Sequence, residues 1–139
     1  MTEPSASNAA QFEPLPCSAI VYRALKKRWL NEDTGGIKAD AFLLRERDLE
    51  SGLSVNIATT CSPQQCATIY DRCSAVASLH VGRVRDLGLD VVPDSETHAN
   101  IQGLPYGENN LAEVERFAGL LAKQSRLIPV QPVKRRRYR

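Results

Sequence analysis

Three polar residues lie in otherwise apolar segments and carry groups that could do chemistry together. Arg23 ends the run Val-Tyr-Arg, Ser54 lies inside Leu-Ser-Val, and His98 opens His-Ala-Asn-Ile. Arginine offers a planar, permanently charged fork that suits phosphate. Serine offers a hydroxyl, and histidine can donate, accept or titrate. We therefore predict that Arg23, Ser54 and His98 line one cleft as catalytic residues of a nucleotide site.

A structural interpretation of the same residues stays open beside this one. In it, Arg23 extends to solvent, Ser54 caps a strand edge and His98 bonds to nearby backbone. The two interpretations differ in whether the three side chains converge, which depends on the strands that carry them.

The strands that must position these residues can be predicted from hydrophobic pattern. Residues 19–25 form a β-branched and aromatic run, which is typical of a strand. Residues 41–45 predict a second strand, paired with residues 53–58. In that third segment apolar residues alternate with Ser54 and Asn56, which indicates a half-buried strand. The remaining predicted strands are residues 75–84, 89–92 and 97–104.

Two helices are predicted from their start signals. Ser62 precedes Pro63 and stands three residues before Gln65, the pattern of a capping box, and predicts a helix to about Cys73. The second helix follows Asn110 and repeats apolar residues at helical spacing. The sequence thus predicts an α+β fold, with a small mixed or antiparallel sheet and two main helices in a single domain.

The length of 139 residues suits one domain. We expect a flexible lead at 1–16, a single α+β domain at 17–128 and a Pro-containing basic tail at 129–139. No apolar run approaches the length of a membrane span, and the first residues lack the pattern of a secretory signal. These features predict a cytoplasmic protein that makes no membrane contact.

Four short segments carry a resemblance to known families: Val21-Tyr22-Arg23, Ala41-Phe42 with Arg45, Leu53-Ser54-Val55 and His98-Ala99-Asn100-Ile101. Over residues 17–128 the chain resembles a family of small uncharacterised bacterial proteins, seen especially in cyanobacteria. More distantly it is similar to compact ADP-ribosyltransferase-like folds, including the RES-domain toxins that degrade NAD. The resemblance implies NAD as a substrate rather than a resident cofactor, with Arg45 as a binding residue for it.

The four cysteines are Cys17, Cys61, Cys66 and Cys73. A predicted cytosolic protein is not expected to use them as a disulfide framework. Their spacing lacks a Cys-x2-Cys pair, and the predicted helix would hold Cys66 and Cys73 two turns apart. We therefore predict reduced buried thiols and no metal site.

Charge is concentrated at the C-terminus. The chain has a formal net charge of +2, yet residues 1–133 alone are mildly acidic. The basic tail carries Lys134, Arg135, Arg136, Arg137 and Arg139. Such a run can neutralise several phosphates, or it can be a solvated end. The alternative function is therefore a non-catalytic accessory protein whose tail contacts nucleic acid or an acidic partner.

Overall fold

The computed structural model describes residues 12–70 and 73–131. In these ranges one six-stranded sheet has the order β4-β5-β2-β1-β3-β6, and all neighbouring strands are antiparallel. An antiparallel sheet combined with separate helices confirms the predicted α+β class. The strands are β1 (Ile20–Lys26), β2 (Leu53–Ile57), β3 (Cys73–His80), β4 (Asp90–Pro93), β5 (His98–Gln102) and β6 (Arg126–Pro129). The helices are α1 (Pro63–Ile69), α2 (Val81–Asp86) and α3 (Leu111–Gln124).

The two faces of the sheet bury different sets of side chains. Because strand residues alternate between faces, Val21, Leu25 and Val55 share one face and belong to the main hydrophobic core. The 3₁₀ helix Ala39–Phe42 and α3 cover that face. The opposite face packs against α1 in a second, smaller core that includes three of the cysteines.

The predicted start of α1 is confirmed, but its predicted end is wrong. The Ser62 hydroxyl accepts a hydrogen bond from the backbone N–H of Gln65 at 3.1 Å, and the Gln65 side chain accepts one from the backbone of Ser62 at 2.8 Å. The helix ends at Ile69 because Tyr70 is extended, and Cys73 already pairs with Lys26 in the sheet. Among the described residues, no helix has both the length and the apolar character needed to cross a membrane.

Three strand assignments also change. The strand predicted at residues 75–84 ends at His80, because Val81–Asp86 forms α2. Residues 41–45 do not form a strand; Ala41 and Phe42 lie in a 3₁₀ helix and are buried in the main core. Packing against that core therefore overrides the strand propensity of the segment. The strand β6 was not predicted, because residues 126–129 show no alternation in burial and pair with only one neighbour, β3.

Candidate functional site

Strands β1 and β2 are paired at only one end. Their register pairs Val21 with Ile57 and Tyr22 with Asn56, and beyond these positions the strands separate. The side chain of Arg23 bridges the gap: its Nη1 donates to the carbonyl oxygen of Ser54 at 2.8 Å and its Nε to that of Ala41 at 2.6 Å. The guanidinium thus satisfies backbone acceptors that a continuous ladder would have paired.

The separation opens a cavity of about 310 Å³, which we call the basic pocket. Four cationic side chains line it: Arg23, Lys26, Arg45 and Arg47. Among the described residues that line it, Asp48 carries the only carboxylate. One oxygen of this carboxylate accepts the backbone N–H of Arg45 at 3.1 Å, which fixes the loop carrying two of the arginines. The wall is therefore net positive and should attract anions.

A single indole ring holds three of these cations close together. The guanidinium carbon of Arg23 and the Nζ of Lys26 each lie 5.4 Å from the centroid of Trp29, and the guanidinium carbon of Arg45 lies 5.5 Å from it. These distances suit cation–π attraction. Trp29 is only 7 % exposed and belongs to the main core, so it is a fixed platform for the cations.

Burial and the neighbouring positive charges lower the pKa of two of these cations. Burial lowers the pKa of Arg23 to about 10, and the neighbouring Arg45 and Arg47 add to the effect against the attraction of Asp48. The pKa of Lys26 is also lowered, by desolvation and then by the surrounding arginines. Arg23, with a pKa of about 10, remains cationic at neutral pH. An anion bound among them would relieve the repulsion.

A hydrogen-bonded series of side chains lies beside the basic pocket. The Oγ of Ser54 is 2.5 Å from Nε2 of His98, and Nδ1 of His98 is 2.8 Å from Oδ1 of Asp94. The second oxygen of Asp94 accepts a hydrogen bond from the Asn100 amide at 2.9 Å. We call Ser54, His98 and Asp94 the serine–histidine–aspartate series.

The charge state of Asp94 sets the direction of these hydrogen bonds. Partial burial would raise the pKa of Asp94, but hydrogen bonds from His98 and Asn100 outweigh it and lower the pKa overall. An ionised carboxylate can only accept. Nδ1 of His98 therefore donates to Asp94. In the neutral ring Nε2 is then the acceptor, and the Ser54 hydroxyl donates to it.

The structure brings most of the predicted site residues together, in a different arrangement from the one expected. Arg23, Arg45 and Ser54 all line the basic pocket. His98 reaches that pocket only through its hydrogen bond to Ser54. Arg23 uses two of its donors on backbone carbonyls, so its main contacts are structural.

Sequence reasoning missed three contributors to this region, which are Lys26 and Arg47 in the basic pocket and Asp94 beside it. Lys26 lines the basic pocket. In the sequence it directly follows the first predicted strand and opens a cationic stretch, a pattern that does not by itself indicate a site. Asp94 orients His98 from four positions earlier in the chain. Its signal was the Pro-Asp-Ser turn shortly before the histidine, a sequence that favours a tight reversal.

The predicted helix carries both Cys66 and Cys73, but in the structure Cys66 lies in α1 and Cys73 begins β3. Cys61, Cys66 and Cys73 are buried in the second core, whereas Cys17 is exposed, contrary to the prediction of buried thiols, and none of the four cysteines forms a disulfide. Burial raises the pKa of Cys66 to about 12, and its thiol donates to Oδ1 of Asn56 at 3.4 Å. A buried thiol of this kind is unreactive. Within residues 12–70 and 73–131 no group of three or more His, Cys, Asp or Glu side chains is placed to hold a metal.

Two expectations from the sequence are not tested by the described residues. The basic tail residues from Lys134 to Arg139 fall outside the described residues, so their contact with nucleic acid or an acidic partner stays a prediction. The resemblance to ADP-ribosyltransferase-like folds likewise stays a prediction. No protein-family model, curated protein or solved structure matches the chain.

Proposed function

We propose that the basic pocket binds a nucleotide through its phosphate groups, and that NAD is the dinucleotide substrate on which the site acts. The observation that carries this proposal is the excess of cations in a partly enclosed cavity. Lys26, Arg45 and Arg47 line the cavity with Arg23, and Asp48 is the only carboxylate among the described lining residues. Phosphate is the common biological anion that arginine forks recognise.

Further features of the cavity support a nucleotide over a simple inorganic anion. Tyr70 lies on the wall and carries an aromatic ring, and Ser54 adds a hydroxyl suited to a ribose oxygen. The volume of about 310 Å³ is at the small end for ligand pockets. It suits a mononucleotide or one half of a dinucleotide, so the other half of NAD would extend over the rim.

The proposal is tested by calorimetric titration of the full-length protein with ADP, NAD and adenosine. ADP and NAD are expected to bind, and adenosine, which lacks phosphate, to bind at least tenfold more weakly, because each charge-assisted hydrogen bond contributes about 1.5–3 kcal/mol. Lys26→Gln and Arg45→Gln should each weaken ADP binding about tenfold on the same grounds.

Lys123→Gln is the matched control, since it removes the same charge from an exposed position on α3. It should leave ADP affinity unchanged. Adenosine binding as tightly as ADP, or equal losses in Lys123→Gln and Lys26→Gln, would contradict the proposal.

A further inference from the structure

The serine–histidine–aspartate series has the order of a nucleophile, a general base and a group that orients the base. The hydroxyl of Ser54 donates to Nε2 of His98, and Nδ1 of His98 donates to the carboxylate of Asp94. This order activates a serine in many unrelated folds. We propose that Ser54 is a nucleophile which takes an acyl group from an anionic ester and passes it to water.

The fold holds the three groups rigidly. Strands β2 and β5 pair Ser54 with Asn100 and Asn56 with His98, so Ser54 and His98 lie diagonally across adjacent strands on one face. Asp94 belongs to the turn between β4 and β5, where its backbone N–H donates to the carbonyl oxygen of His98 at 3.0 Å. The Asn100 amide holds the other carboxylate oxygen. These contacts come from strand pairing and a tight turn, which makes the alignment preorganised.

The nucleophile is also placed where a ligand can reach it. Ser54 is only partly buried and lines the basic pocket, while its carbonyl oxygen is fixed by Arg23. Lys26 and Arg45 line the same pocket, so cationic groups are available for the negative charge that develops on an attacked carbonyl oxygen. Ser54 therefore combines a general base with access to a ligand and with nearby cations, which a polar cluster far from any cavity would not have.

The reaction has two balanced stages. In the first, Oγ of Ser54 bonds to the carbonyl carbon of the ester, Nε2 of His98 takes the hydroxyl proton, and the alcohol leaves with that proton as its carbon–oxygen bond breaks. In the second, water gives its proton to Nε2 and attacks the acyl-serine. The free acid leaves and the proton returns to Ser54. Throughout both stages Asp94 stabilises the imidazolium of His98.

The substrate class follows from the surroundings of Ser54. An ester that carries a phosphate or carboxylate group would be held by the cations of the basic pocket, with its acyl carbon toward the hydroxyl. This choice of an anionic ester rests on the proposed function. The nucleophilicity of Ser54 does not, because it depends on His98 and Asp94 alone.

The test is labelling of the full-length protein with a fluorophosphonate, a probe that phosphonylates activated serines. The wild type should carry one adduct, located at Ser54 by peptide mass spectrometry. His98→Gln should slow labelling about 100-fold or more, the usual contribution of a general base. Asp94→Asn should slow labelling by at least tenfold.

Ser78→Ala is the matched control, because it removes a partly buried hydroxyl from β3, which is separated from β2 by β1, and it should label like the wild type. Circular dichroism checks that each variant is folded. No adduct on folded wild type, or equal labelling of His98→Gln and wild type, would overturn the inference.

Adding ADP separates this inference from the proposed function. Protection of Ser54 by ADP supports both. Labelling that ADP does not slow, in a protein that fails to bind ADP by calorimetry, would overturn the proposed function and leave the nucleophile standing. ADP binding without any labelling would support the proposed function and overturn the assignment of Ser54 as a nucleophile.

Discussion

Replacing Trp29 by alanine is expected to lower the free energy of unfolding by about 3–5 kcal/mol, the range for large aromatic residues in cores. Trp29 is 7 % exposed, belongs to the main core and supports three cations on its ring. The alanine variant therefore leaves a cavity and also frees Arg23, Lys26 and Arg45 from their common platform. ADP binding should be lost together with stability, because the cations no longer converge.

Urea unfolding followed by far-ultraviolet circular dichroism measures the effect without relying on indole fluorescence. Trp29→Phe keeps an aromatic ring and should lose less stability than Trp29→Ala. Leu111→Ala removes a large side chain that is 55 % exposed and serves as the surface control. If Trp29→Ala were no less stable than Leu111→Ala, the indole would not be the platform described above.

Replacing Gly52 by alanine is the second large effect expected, a loss of about 3 kcal/mol, at the upper end of the cost of a strained backbone conformation. Gly52 has φ +108°, a conformation that L residues rarely adopt. A Cβ there would also lie 2.5 Å from the carbonyl oxygen of Ile101. Relief of that clash requires β2 to move away from β5, which would also disturb the contact between Ser54 and His98.

Gly88→Ala separates the two causes. Gly88 has φ +90°, but no heavy atom lies within 4 Å of the position that an alanine Cβ would take, so alanine there carries only the backbone strain. Chemical unfolding of both variants should show Gly52→Ala clearly less stable than Gly88→Ala. Equal losses would mean that the approach of Ile101 to Gly52 is not tight.

The parts of the fold that could be predicted are those governed by local pattern. The run around Val21 and the alternation about Ser54 correspond to β1 and β2, and the Ser62 capping box begins α1. Local chemistry decides each of these, since a strand face or a helix cap involves only near neighbours in sequence. The predicted helix after Asn110 is α3, although the Asn110 side chain makes no capping hydrogen bond.

The parts that could not be predicted depend on contacts between distant segments. Ala41 and Phe42 have strand-like composition, but burial beneath the main core makes that segment a 3₁₀ helix. The separation of β1 from β2 arises because the Arg23 side chain occupies the gap, and nothing in the local sequence marks a side chain that replaces a ladder hydrogen bond.

The candidate site also has a part that could be predicted from sequence and a part that could not. Residue type alone pointed to Ser54 and His98, and their hydrogen bond is set by the register of β2 against β5. That register is a long-range property, as is the convergence of Lys26 and Arg45 on one indole ring. The sequence therefore supplied chemically competent residues, while their grouping into a pocket and a hydrogen-bonded series required the tertiary structure.

The binding of phosphate groups in the basic pocket is tested most directly by the fluorescence of Trp29, the single tryptophan of the chain. Its ring contacts the cations that would hold the ligand, so a saturable change on titration with ADP reports occupancy of this pocket. Adenosine at the same concentrations should produce no such change. In the variant with both Lys26→Gln and Arg45→Gln the ADP titration should shift more than tenfold to higher concentration, since each substitution alone removes about tenfold in affinity. A wild-type signal that does not respond to ADP, or a titration that is the same in the double variant, would contradict nucleotide binding in this pocket.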